Sequence, residues 1–197
     1  MRIIQIKTSN DRNFSYIVLD EEKKKGVVID PSDDVELIIR EIRKENLKIN
    51  YILNTHTHID HTSGNNTIVK EIGARVLQHP ELRDGSLIEV TDELKIEVLY
   101  TPGHHDTCCC FLAGKNLFTG DVLFVGNIGG VGDRFPKSDS YQQWKSLQRI
   151  IKLEPKINVW PGHDYGTKTR TTIGEEKENN PFILCGDYEE FMNLMNN

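Results

Sequence analysis

The chain has no long apolar run. No stretch is long and apolar enough to span a membrane, which sets aside the membrane-spanning classes. A charged-then-apolar leader with a small-residue cleavage site is also missing, because Met1-Arg2-Ile3-Ile4-Gln5 leads straight into a strand pattern. That reads as a cytoplasmic protein. Cationic excess is absent too: 24 Lys and Arg against 30 Asp and Glu leave a formal net charge of −6. Such a balance argues against a broadly cationic nucleic-acid surface. Cysteine is scarce, and Cys108, Cys109, Cys110 and Cys185 have neither zinc-finger spacing nor a disulfide framework. Adjacent members of the triplet would point to opposite faces of a strand. They read as small buried hydrophobes in a reducing compartment, with a thiol near a substrate as the lesser alternative. Nothing repeats and no low-complexity linker is visible, so residues 1–197 are expected to form one domain with a sizeable core.

What the chain does have is a dense run of ligand-type residues, Thr55-His56-Thr57-His58-Ile59-Asp60-His61. Neutral imidazole and carboxylate are the usual ligands of zinc and of iron. The run follows Tyr51-Ile52-Leu53, which reads as a buried strand. If the backbone stays extended, His56 and His58 face one side. Asp60 and His61 are adjacent, so a turn is needed to bring them together, and that turn would aim each pair at a separate ion. Further ligand types follow other apolar runs: Thr101-Pro102-Gly103-His104 after 95–100, Thr119-Gly120-Asp121 after 116–118, and Trp160-Pro161-Gly162-His163-Asp164 after 157–159. A sheet presents a metal site in this way, on loops at its strand ends.

Residues 2–7, 13–20 and 26–30 read as early strands. Ser32 is expected to cap a helix whose inward residues are Val35, Ile38, Ile39 and Ile42. A second helix is predicted over 65–72, with Ile68, Val69 and Ile72 inward and Gly73 as its stop. Ser140 and Gln143 fit a capping box opening a helix through Ile151, with Tyr141, Trp144, Leu147 and Ile151 as its apolar face. Strands followed by mixed strands and helices suit two sheets with helices outside. Residues 126–137 read as a surface loop near Asp121, able to form a wall for a substrate. His79 is expected in a turn. His105 and Asp164 are each open between supporting a ligand and facing solvent.

These segments, in this order, resemble the metallo-β-lactamase superfamily, and Val27-Val28-Ile29-Asp30-Pro31 adds to the likeness. The resemblance covers essentially the whole chain. It implies an α/β fold, an αββα four-layer sandwich with the metal site at the edge of the two sheets. It also implies two divalent metal ions, zinc first, with iron or a mixed zinc–iron pair as alternatives. His56, His58 and His104 would hold one ion, Asp60, His61 and His163 the other, and Asp121 would bridge them. Asp60 and Asp121 are the carboxylates expected to be catalytic. The superfamily hosts many reactions, so the fold does not name the substrate.

Within the superfamily the chain is similar to glyoxalase II (hydroxyacylglutathione hydrolase) and most to its short, stand-alone relatives. That implies hydrolysis of a small thioester, of the S-lactoylglutathione type, by attack of a metal-bound hydroxide. A thioester is a well-matched target, because its leaving thiol has a pKa near about 8.5 and departs without a general acid. Tyr165 falls where that family has a tyrosine contacting glutathione. Two departures stand out: the segment after Tyr165 is short and acidic, and Gly126-Asn127-Ile128-Gly129-Gly130-Val131 replaces a Gly-Cys-Gly-Arg or Gly-Cys-Gly-Lys loop. The rival resemblance is to persulfide dioxygenase: Thr171-Thr172-Ile173-Gly174-Glu175-Glu176-Lys177 and Asn180-Pro181 resemble that family's tail, as they also resemble that of the short hydrolases. It implies one ferrous ion on His56, His104 and Asp121. The expected partner is a small-molecule substrate, with no nucleic acid and no membrane; a homodimer is left open.

Overall fold

The computed structural model describes residues 1–8 and 12–195. The first sheet has strand order β1-β2-β3-β4-β5. β1 (Arg2–Lys7), β2 (Phe14–Asp20) and β3 (Lys25–Ile29) pair antiparallel. The chain then crosses through α1 (Val35–Lys44) to β4 (Lys48–Leu53), which lies parallel to β3. A short α2 (Ile59–Thr62) and then α3 (Asn65–Ile72) lead to β5 (Arg75–Leu77), parallel to β4.

The second sheet runs β6 (Leu87–Glu89), β7 (Lys95–Tyr100), β8 (Cys109–Ala113) and β9 (Asn116–Gly120) as an antiparallel meander. After α4 (Ser140–Ile150), β10 (Asn158–Pro161) pairs parallel with β9, and β11 (Thr171–Thr172) closes that edge. Three helices follow: α5 (Ile173–Asn179), α6 (Pro181–Leu184) and α7 (Tyr188–Met195).

The period of two in β2 explains the layering. Phe14, Tyr16 and Val18 pack between the sheets with Val98, Phe111, Phe118 and Trp160. Ile17 and Leu19 point the other way, onto Ile38, Ile39, Ile42 and Ile68 of α1 and α3. The outer face of the second sheet is covered by α4 to α7 through Leu147, Ile150, Ile173, Ile183 and Phe191. Helices, sheet, sheet and helices give the four layers expected. The cysteine triplet alternates across the same sheet: Cys109 belongs to the central core, Cys108 and Cys110 to the outer one. All three are buried, and burial pushes Cys109 and Cys110 up to about 12, so they are packing residues and not reactive thiols.

Several local expectations are corrected. Ser32 does not cap α1; Asp34 is the cap residue and makes no side-chain cap bond. Ser32 is buried instead, its hydroxyl 2.7 Å from that of Thr8. α4 begins one residue out of the expected register. Its cap is Asp139, which accepts from Gln142 N, while Ser140 reaches the hydroxyl of Tyr188 on α7. The inward face is therefore Gln143, Ser146, Leu147 and Ile150, and Tyr141 is 46% exposed. Val69 of α3 is 41% exposed, because only Ile68 and the partly buried Ile72 meet the sheet. The complete capping box lies at Thr172 and Glu175. Asn13 stands outside β2, in an isolated bridge to His163 that ties the first sheet to the second at one edge. Among the described residues no helix is long and apolar enough to cross a membrane.

Candidate metal centre

The expected ligands come from the ends of β4, β7, β9 and β10 and meet at that edge. His56 follows β4 and is fully buried. His58 keeps an extended backbone and caps α2, and this single helical turn brings Asp60 and His61 together, with Asp60 Oδ2 3.3 Å from His61 Nε2. His104, Asp121 and His163 arrive from the other sheet, all buried. Two glycines make room. Gly120 sits at φ 49°, a left-handed conformation that glycine adopts without strain. A Cβ on Gly162 would collide with Asp121 Oδ1 and crowd the His61 ring.

All seven residues converge, and three overlapping groups have ligand atoms close enough to hold an ion: His56, His58 and His104; His56, His61 and Asp121; Asp60, His61 and His163. His58 Nδ1 lies 3.0 Å from both His56 Nε2 and His104 Nε2. His61 Nε2 lies 3.3 Å from His163 Nε2. Two nitrogens bound at about 2.0–2.1 Å to one tetrahedral ion stand about 3.3 Å apart, so the spacing fits. Asp121 faces both groups, Oδ1 3.3 Å from His61 Nε2 and Oδ2 3.3 Å from His163 Nε2 and 3.6 Å from His104 Nε2. Its Oδ1 is buried and accepts no hydrogen bond, which leaves a lone pair for a cation.

The surrounding groups set which ring nitrogen faces the centre. Thr55 Oγ1 donates to Asp30 Oδ2, so it accepts from His56 Nδ1 at 3.2 Å. His61 Nδ1 donates to Asp30 Oδ2 at 3.0 Å. His104 Nδ1 donates to the Gly130 carbonyl at 2.7 Å, and its backbone N–H donates to Gln143 Oε1. His56 and His104 thereby turn an Nε2 lone pair inward, as metal-binding histidines do when the other nitrogen is held by an outer partner, and His61 turns its Nε2 inward too, where a metal ion would displace the proton it carries. Asn13 Nδ2 donates to Asp60 Oδ2 at 2.9 Å and fixes that carboxylate.

Electrostatics divide the centre. Burial, then the neighbouring His61, pushes His56 well below the ordinary imidazole range. His58 is held down to about 4, by burial first and then by His104 and His105. His61 and His163 go the other way. Burial opposes their charge, but Asp121 outweighs it, helped by Asp30 at His61 and by Asp60 at His163, which is held up to about 10. Burial likewise opposes ionisation of Asp60 and Asp121, yet contacts with His61 and His163 hold both carboxyls well below their usual range. His56 and His58 offer neutral lone pairs; His61 and His163 already accommodate positive charge.

The remaining candidates separate clearly. His105 is buried, with its Nδ1 toward Thr107 and Asp106 and its ring 4.8 Å from that of His58, so it supports the wall and belongs to none of the three groups. His79 lies in a turn and stacks on Tyr100. Asp164 pairs with Lys7 rather than orienting His163. Tyr165 stacks on the His163 ring at 4.5 Å, with Phe124 edge-on to both. Loop 126–137 lies against the centre: Gly130 receives His104 and the Phe135 ring is 5.4 Å from it. Glu176 and Asn180 fasten the start of this loop, by bonds to Gly126 N and to the Asn127 carbonyl. No local pattern in the sequence marks Asp30, Thr55, Asn13 or Gln143 as a support of the site. Asp30 lay in a recognisable segment, but nothing local distinguishes Gln143 from a helix cap.

The family description "Metallo-beta-lactamase superfamily" matches residues 10–90 and 77–163. The chain is 29% identical to the "Probable polyketide biosynthesis zinc-dependent hydrolase BaeB" of Bacillus velezensis, over 98% of this chain and 92% of that protein. It is 30% identical to a hydroxyacylglutathione hydrolase of Pelagibacter ubique, over 94% of this chain and 77% of that one. The crystal structure of ETHE1 from Myxococcus xanthus overlays all of this chain and 91% of its own with a TM-score of 0.93 at 31% identity. With four layers, candidate ligands on the strand ends of both sheets and this match through the segments that carry them, the chain belongs to the metallo-beta-lactamase superfamily.

Proposed function

We propose that this protein is a binuclear metal-dependent hydrolase of a small thioester, of the S-lactoylglutathione type. The observation that carries the proposal is Asp121, buried with one oxygen toward His61 and the other toward His104 and His163, as a carboxylate shared by two cations would be. His56, His58 and His104 hold one ion in this reading, and Asp60, His61 and His163 the other. Two bound divalent ions supply an activated water, whose pKa falls to about 7, and polarise a carbonyl.

The chain's own groups do the rest. His58 and Asp60 are the least buried of the seven, so substrate enters on their side. Asp60, fixed by Asn13, orients the attacking water. Phe124 and Phe135, on the rings of His163 and His104, keep bulk water off the reacting carbonyl. Tyr165, 36% exposed, contacts the substrate's tail. No acid is needed for the departing thiolate. The hydroxyacylglutathione hydrolase relatives support this substrate class.

Likeness to ETHE1 favours a second reading, an iron-dependent persulfide dioxygenase using His56, His104 and Asp121. Metal analysis of protein purified without added metal, followed by thioester hydrolysis and oxygen-uptake assays, separates the two. About two metal ions per chain with thioester turnover is the expected result. Oxygen uptake with glutathione persulfide, and no thioesterase activity in zinc- or iron-loaded protein, would reverse the assignment.

A further inference from the structure

The turn before β2 places a cation at the edge of this centre. Arg12 is exposed, and its guanidinium lies 5.0 Å from the centroid of the Tyr165 ring, the ring that stacks on His163. The backbone is held there. Asp164 N donates to the Arg12 carbonyl at 2.9 Å, Phe14 N donates to the Gly162 carbonyl at 2.8 Å, and Asn13 bridges to His163 while its side chain holds Asp60. Arg12 itself has φ 56°, the left-handed region that non-glycine residues occupy at a cost. Tertiary contacts therefore fix an arginine, and not a flexible loop tip, beside the substrate-facing tyrosine.

The neighbouring lysines are committed to carboxylates, while Arg170, like Arg12, lies over an aromatic ring. Lys7 pairs with Asp164, Lys168 pairs with Glu175 at 2.7 Å, and Arg170 lies over Trp160. Arg12 has no carboxylate partner among the described residues. Tyr165 is also one wall of a hollow of about 520 Å³ that Asn127, Lys168 and Glu175 help to line. Arg12 does not line this hollow but lies over the Tyr165 ring itself, so a ligand passing from the centre across that ring would meet its positive charge. Guanidinium stacked on an aromatic ring keeps its N–H fork free for a carboxylate, and arginine suits both contacts at once.

We propose that Arg12 is a specificity-determining residue that selects substrates bearing a carboxylate on the thiol portion. The inference rests on the thioesterase reading for its catalytic test but not for its binding test. The binding probes are S-methylglutathione and its dimethyl ester, titrated calorimetrically into the zinc-loaded protein. The wild type should prefer the free acid by about tenfold, the size of one charge-assisted bond, and Arg12→Gln should abolish the preference while binding the ester unchanged. Arg12→Lys should keep part of it. In turnover, Arg12→Gln should raise KM for S-lactoylglutathione with little change in kcat, and leave a neutral S-acyl-N-acetylcysteamine unaffected. Equal binding of acid and ester by the wild type, or equal losses on acidic and neutral probes in Arg12→Gln, would overturn the proposal. Discrimination by Arg12 in binding without any thioester turnover would leave it standing and sink the thioesterase reading instead.

Discussion

The imidazole half of the centre, His56, His58 and His104, and the acidic half, Asp60, His61 and His163, lie side by side, and the pKa values of His56 and His58 in the first are pushed down while those of His61 and His163 in the second are pushed up. His56 and His58 are desolvated and surrounded by other rings, so they reject protons. The second is equally buried at His61 but has Asp30, Asp60 and Asp121 within reach, so it keeps them. Burial alone does not set the charge of a histidine; the carboxylates that share its cavity do. A cation entering the first half finds free lone pairs, whereas one entering the second must displace protons. Metal binding at neutral pH should therefore release protons chiefly from the acidic half.

The harshest break is to remove a ligand from one half only. His61→Ala should lower the metal content by about one ion per chain and cut thioester hydrolysis by more than the about 10–100-fold typical of losing an outer partner. A His61→Ala protein hydrolysing thioesters at the wild-type rate would refute a two-metal mechanism. Retained oxygen uptake on persulfide would instead point to iron on His56, His104 and Asp121.

A gentler, matched pair of variants tests whether each half has its own support. Asp30→Ala removes the acceptor of His61 Nδ1, and Gln143→Ala removes the acceptor of the His104 backbone N–H. Each should weaken metal affinity by about 10–100-fold, Gln143→Ala on the imidazole half and Asp30→Ala chiefly on the acidic half, with a smaller loss at His56 because Thr55 also donates to Asp30. Competition titration with a chelator reads the two sites separately. If Asp30→Ala weakened the imidazole half more than the acidic half, the division between the halves would be wrong.

The smallest effect is on the pH profile of chelated protein. His58, held down to about 4, contributes stability that is full above about pH 6.5 and is lost as pH falls toward 4. His163, held up to about 10, contributes stability that is full below about pH 6.5 and is lost as pH rises toward 10. Tm of the chelated protein should therefore decline on both sides of about pH 6.5. Added zinc should flatten the alkaline arm, because the ion replaces the protons there. An alkaline arm unaffected by zinc would mean that the acidic half does not bind it.

Much of the architecture is written in alternation. β2 buries every residue, and its odd and even positions supply different layers, which is why the two-sheet reading succeeds. Helix register is less legible. An apolar stripe placed Tyr141 inward and Gln143 at a cap, but Gln143 carries two buried hydrogen bonds, to His104 N and to the Val122 carbonyl. That satisfied polar core position turns α4 by one residue and frees Tyr141 to solvent. Val69 fails for the related reason that α3 is short and meets the sheet along one narrow line. The helices after β11 were not read at all, since their apolar residues are scattered over short segments; only packing on the second sheet defines them. At the site, all seven expected ligand residues meet, whereas their supports did not announce themselves.

By itself the sequence determined which atoms can bind a cation and in what order they reach the strand ends, because ligand chemistry belongs to the residue and the alternation of a strand is local. Tertiary structure alone decided which ring nitrogen faces inward, which histidines keep a proton, and that Arg12 comes to rest on Tyr165. Those properties depend on dielectric and on hydrogen bonds between groups far apart in the chain. His61 and Asp30, or His104 and Gly130, acquire their meaning only when the two sheets close on each other.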